Sequence, residues 1–183
     1  MSWNRRRVLE AGGAIALSAV GVLASRARAA HPAQEERRIA LKNLHTPESL
    51  DVAYRRGGEY VPEALGALKT LLRDYRTGEE HPIDPVLFDY LHDVARAARV
   101  EAVFNVISGY RSPRTNQMLH ERSGGVASKS LHMEGRAIDV RLAGVDCASL
   151  ADTALGMQRG GVGYYRQSDF VHLDTGRFRT WRG

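Results

Sequence analysis

The chain has 183 residues, 43% of them hydrophobic and 26% charged, with a net charge of +5 and a single cysteine, Cys147. That length suits one domain of ordinary size, and a lone cysteine excludes an internal disulfide, so the fold must stand on an apolar core. Five Arg and one Glu fall within residues 1–29, which leaves +1 for the rest, and no window after residue 30 is dominated by Lys and Arg. A nucleic-acid partner, which needs a basic stripe, is therefore not expected.

Residues 1–29 have a basic start, an apolar run from Ala11 to Ala24, and the small-x-small triplet Ala27-Arg28-Ala29 expected of a cleavage site. The run is too short for the roughly twenty apolar residues of a bilayer-spanning helix, so an export signal is expected rather than a permanent membrane anchor. Asn4-Arg5-Arg6-Arg7-Val8-Leu9 resembles the twin-arginine export motif. The expected location is the bacterial periplasm. Residues 30–37 are polar and aperiodic, a flexible lead into a domain expected over residues 38–183.

Alternating apolar positions at Ile39/Leu41 and Leu50/Val52/Tyr54, around the turn-prone stretch His45 to Ser49, predict a β-hairpin. From Pro62 the apolar residues Leu65, Leu68, Leu71, Leu72 and Tyr75 recur with helical period, predicting an amphipathic helix. Asp84-Pro85 is a cap followed by Pro at a first helical position. It opens a second helix with Val86, Leu87, Tyr90, Leu91, Val94 and Ala98 as its buried stripe.

Residues 102–108, AVFNVIS, read as a central strand, and Ser112-Pro113 caps and opens a helix that the flexible SGGVASKS stretch ends. RAIDVRL reads as a strand, DCASLADTALGM as a further helix, and GGVGYY and DFVHLDT as two short strands about a turn at Arg166 to Ser168. Helices flank strands without regular β-α-β alternation, so the expected class is α+β, with a small, largely antiparallel sheet.

Chemistry concentrates in SKSLHMEGRAID, where His132 and Asp139 lie seven apart. An odd separation puts two side chains on opposite faces of one straight strand, so they converge only if the chain turns, which Gly135 makes plausible. Imidazole and carboxylate are both zinc ligands, and a catalytic zinc takes three protein ligands and keeps a fourth position open. His172 is the best third candidate, a polar ring within the apolar strand FVHLD.

Three stretches carry a family resemblance: Ser130-x-His132-x-x-Gly135-x-Ala137-x-Asp139, the preceding Ser108-Gly109-Tyr110-Arg111-Ser112, and the late Phe170-Val171-His172. Together they resemble zinc peptidases of the D-Ala-D-Ala peptidase and hedgehog type. The ending GGVGYY…DFVHLDTGRFRTW looks like the YcbK-like (MepK-like) murein endopeptidase branch, from about Arg38 to Trp181. The resemblance implies that His132, Asp139 and His172 bind Zn²⁺, that Arg111 stabilises an oxyanion, and that the substrate is a peptidoglycan peptide.

Relatives place a general base three residues before the last ligand, commonly Glu, or two before it, commonly His; here those positions hold Asp169 and Phe170. Asp169 is the expected base, with Asp174 as its competitor or as a partner that orients His172. Tyr110, Ser130 and Trp181, with Tyr164 and Tyr165, are the expected substrate contacts.

Other readings stay open at this point. A carboxypeptidase or dipeptidase would need a cationic anchor near the metal, and the sequence does not place Arg114, Lys129 or Arg136 there. The altered base position fits a cell-wall-binding module that keeps zinc without turnover. His132-Met133-Glu134 mimics the H-x-E of zinc deaminases, but one cysteine cannot supply their downstream Cys pair. D,D and L,D bonds are equally compatible with the sequence.

Overall fold

A computed structural model describes residues 35–123 and 126–183. The export segment and residues 30–34 of the lead lie outside the described residues. Among those described, no helix is long and apolar enough to cross a membrane.

The predicted hairpin forms from β1 (Glu36–Asn43) and β2 (Ser49–Arg56), paired antiparallel with a bulge between Arg37 and Arg38. Ordered strand thus begins at Glu36, two residues before the expected start. Gly57 and Gly58, both at positive φ, turn β2 into the two-residue β3 (Glu59–Tyr60).

Helix α1 (Pro62–Leu71) is shorter than its periodicity predicts. Asp74 stops it: the backbone N–H groups of Thr77 and Gly78 donate to its carbonyl, and its carboxylate accepts from Arg76 N, Ser112 N and Ser112 Oγ at 3.0, 2.9 and 2.7 Å. Tyr75 therefore leaves the helical stripe and stacks on His45, with ring centroids 4.1 Å apart.

Helix α2 (Pro85–Ala97) begins as predicted, with the Asp84 carboxylate accepting from Val86 N at 3.0 Å. Its buried stripe includes Phe88 and leaves Val86 46% exposed, because Leu87 and Phe88 take the core-facing side of the first turn. Strand β4 (Val103–Ser108), helix α3 (Pro113–Ser123), a 3-10 turn (Leu131–Glu134) and β5 (Ala137–Leu142) follow. Helix α4 (Cys147–Gly156), β6 (Gly161–Tyr165), β7 (Phe170–Asp174) and β8 (Arg179–Arg182) complete the chain.

The strands form a single sheet in the order β3-β2-β1-β4-β5-β7-β6-β8. Neighbours are antiparallel except β1 with β4 and β6 with β8. The fold is α+β and the sheet largely antiparallel, as expected. At eight strands it is large rather than small, a correction that comes from β3 and β8, which are short and carry no run of alternating apolar residues.

Helices α1, α2 and α4 pack on the sheet around one apolar core that includes Phe88, Leu91, Phe104, Ile138, Val140, Leu150, Val171 and Leu173. Because strand side chains alternate, sending Ile138, Val140 and Leu142 of β5 into this core turns Asp139 to the opposite face. Val171 and Leu173 do the same for His172 on β7. This face carries the site.

Candidate active site

Asp139 and His172 are direct register partners across β5 and β7, so their side chains stand together. His132 reaches them from the 3-10 turn, which ends at Gly135 in the left-handed region, φ 65°. A Cβ at Gly135 would sit 2.1 Å from the Pro82 carbonyl oxygen. Gly135→Ala is expected to cost about 2–4 kcal/mol, combining left-handed strain with that clash. Denaturant unfolding checks it, and a loss below about 0.5 kcal/mol would show the turn to be adaptable.

His132 Nε2, His172 Nδ1 and Asp139 Oδ1 converge, all within 4.8 Å of one another, on three buried residues. Nε2 lies 3.2 Å from both Asp139 Oδ1 and His172 Nδ1, and Nδ1 lies 2.9 Å from Oδ1. The far nitrogen of each ring is committed elsewhere. His132 Nδ1 donates to the Gly109 carbonyl at 2.6 Å, and His172 Nε2 donates to Asp174 Oδ2 at 3.0 Å.

That arrangement tests whether a metal fits. With one proton on each far nitrogen, both inward nitrogens carry lone pairs and face a carboxylate oxygen, so three acceptors crowd one point and call for a cation between them. Burial pushes the His132 ring down to about 4, outweighing Asp139, which keeps it a neutral ligand. Burial also acts against the charged form of His172, but hydrogen bonds to Asp139 and Asp174 outweigh it and raise that ring. The donor set, two imidazoles and a carboxylate, suits a divalent ion such as zinc.

Asp174 is fully buried and saturated. Besides His172 it accepts from Gly161 N, Gly176 N and both terminal nitrogens of Arg179, at 2.7–3.0 Å. Burial opposes its charge, but these donors hold the carboxyl well below the usual range. It orients His172 and is not free to take a proton. Arg111 bonds Asp139 Oδ2, donates from Nε to Ser108 Oγ at 2.8 Å, and from its backbone to the His132 carbonyl at 3.2 Å.

The three donors open on a cleft of about 710 Å³. Ser130 lines it, its Oγ accepting from His132 N at 3.4 Å, as does Trp181, which donates to Tyr165 Oη at 2.9 Å. Three expected site residues are not brought here: Tyr164 packs against the apolar core and does not line the cleft, and neither Tyr110 nor Asp169 does. Tyr110 is 8% exposed, stacks on His81 and does not line the cleft, because its backbone is tied to the Leu72 carbonyl at the core.

Asp169 lies at φ 51° in the turn before β7, its side chain 68% exposed and paired with Arg141 at 3.2 Å. Its carboxylate is held at Arg141 on the exposed turn, and no carboxylate but Asp139 lines the cleft among the described residues. Asp169 also neighbours the Cys147 thiol, which burial first and this carboxylate second push up to about 11, consistent with an inert cysteine. Sequence reasoning missed Arg179, which supports Asp174, and His45, Tyr75 and Arg76 on the cleft wall. Tyr75 follows the helical period of α1 and so reads as core, while His45 and Arg76 lie in turns that carry no periodic signal.

Three inward donors, each braced from behind and opening on one cleft, form a candidate metal site of the kind a metal-dependent hydrolase uses. The chain belongs to the family described as Peptidoglycan L,D-endopeptidase MepK (Peptidase_M15_2), whose model matches residues 31–181. It is 42% identical over 178 residues to peptidoglycan L,D-endopeptidase MepK of Escherichia coli (strain K12), covering 97% of each chain. It is 38% identical over 181 residues to the probable peptidoglycan L,D-endopeptidase MepK of Haemophilus influenzae, covering 98% of this chain and 96% of that protein. No solved structure gives a significant match.

Proposed function

We infer that the protein is a peptidoglycan endopeptidase that hydrolyses an amide bond in cross-linked stem peptides, with Zn²⁺ held by His132, Asp139 and His172. The observation that carries the reading is the convergence of these three donors in a chain similar over nearly its whole length to L,D-endopeptidases. Those relatives favour an L,D bond over D,D. Zinc held there supplies Lewis acidity to the scissile carbonyl and to the attacking water. The protein's own residues do the rest: Asp174 and the Gly109 carbonyl orient the two rings, and Arg111 provides the cation nearest the developing oxyanion.

The residues 1–29 pattern supports export by the twin-arginine route to the periplasm, where this substrate lies. Mass spectrometry of cross-linked muropeptide dimers tests the activity. Chelator-sensitive conversion to monomers, restored by zinc, is the expected result, and product masses name the bond. Intact dimers after incubation with zinc-loaded protein would favour a binding module.

Asp169 makes the sharper test of the site. Its exposed position predicts that Asp169→Asn keeps turnover within about threefold of the parent. A loss of about a hundredfold with zinc retained would restore it as the base, through a movement of the turn that ends at β7.

A further inference from the structure

The cleft has two unlike walls. Toward β6 and β8 it is aromatic, with Tyr165, Phe170 and Trp181; toward β1 and β4 it is formed by His45, Tyr75 and Arg76, with Lys129 on the loop before the 3-10 turn. The metal-ligand candidates on β5 and β7 lie between them in the sheet order. A substrate spanning the centre therefore meets an aromatic surface on one side and a basic one on the other.

Four cations line this cleft, and they fall into two pairs. Arg111 and Arg179 are neutralised by Asp139 and Asp174. Arg76 and Lys129 have no acidic partner among the described residues. Arg76 is nonetheless held: its backbone N–H is bonded to buried Asp74 at 3.0 Å, and its guanidinium lies 4.2 Å from the centre of the Tyr75 ring, which itself stacks on His45. Arg76 and Lys129 are exposed residues at the cleft, and a guanidinium held in place there without a counter-ion is able to receive a carboxylate.

We propose that Arg76 and Lys129 form a carboxylate-reading wall, which selects acidic stem peptides by binding a free carboxylate beside the amide to be cut. This rests on the endopeptidase reading and adds the feature of the substrate that is recognised. The two residues bind rather than react, so their effect belongs in KM. The aromatic wall accepts the alkyl and backbone surface on the other side of the bond.

Steady-state kinetics on cross-linked muropeptide dimers test the wall, using the zinc-loaded protein and variants with unchanged unfolding midpoints. Arg76→Gln and Lys129→Gln are each expected to raise KM about tenfold, and the double variant about a hundredfold, with kcat within about threefold of the parent. Dimers with amidated carboxylates should raise the parent's KM similarly, and on them the substitutions should cost nothing further. Parent turnover with unchanged KM in both variants would overturn the wall, as would a fall in kcat alone or an equal penalty on amidated dimers. Failure of the parent itself to cut dimers would instead overturn the endopeptidase reading.

Discussion

In His172→Ala, turnover of cross-linked muropeptides falls by at least about 10⁴-fold and bound zinc falls from one per chain to a small fraction. The ring supplies one of three inward donors, and its loss leaves His132 and Asp139, two ligands where a catalytic zinc needs three. It also strands Asp174, which keeps Arg179 and two backbone donors and so remains satisfied without the ring. For that reason the variant is expected to fold, and metal content by elemental analysis can be read on folded protein. The same geometry makes zinc compete with protons. His172, raised by its two carboxylate neighbours, takes a proton as pH falls, and metal affinity should fall with it. Full zinc occupancy in His172→Ala would overturn the ligand assignment.

Arg111→Ala is expected to lower kcat by about 10²–10³-fold while leaving one zinc per chain. Arg111 lies between two roles: it pairs with Asp139 Oδ2, and its side chain, 12% exposed, lines the cleft. If its main task were to brace Asp139, zinc affinity would carry the loss. The other Asp139 oxygen faces both histidines, so a bound divalent ion compensates that carboxylate when the guanidinium is removed. Arg179 does not replace Arg111 at the developing oxyanion, because it is committed to Asp174. Zinc titration beside kinetics separates the roles: lost metal would make Arg111 a positioning residue for Asp139. Arg111→Lys should recover little, since one ammonium cannot bond Ser108 and Asp139 in the same fork.

The signals legible in the sequence were those that act over a few residues. Asp84-Pro85 opens helix α2 as cap chemistry requires, and alternation at Ile39 and Leu41 marks the buried face of β1. His132, Gly135 and Asp139 formed one short motif, and the glycine's left-handed φ is the turn that their odd spacing demanded.

What only the tertiary structure decided involves residues distant in the chain. Tyr75 follows a helical period, yet a turn anchored by Ser112, thirty-eight residues away from Asp74, takes it out of α1 and onto the cleft wall. Tyr110 sits in the motif beside Arg111, but its backbone bond to Leu72 carries it into the core. Asp169 satisfied a spacing rule, but the fold sets it in an exposed turn before β7, paired with Arg141. The sequence by itself therefore picked out the three side chains that converge, the Asp84 cap and most of the core stripes, because periodicity and capping are local. Strand order and the register of Asp139 against His172 depend on pairing across the sheet, and that pairing decided which residues share the site.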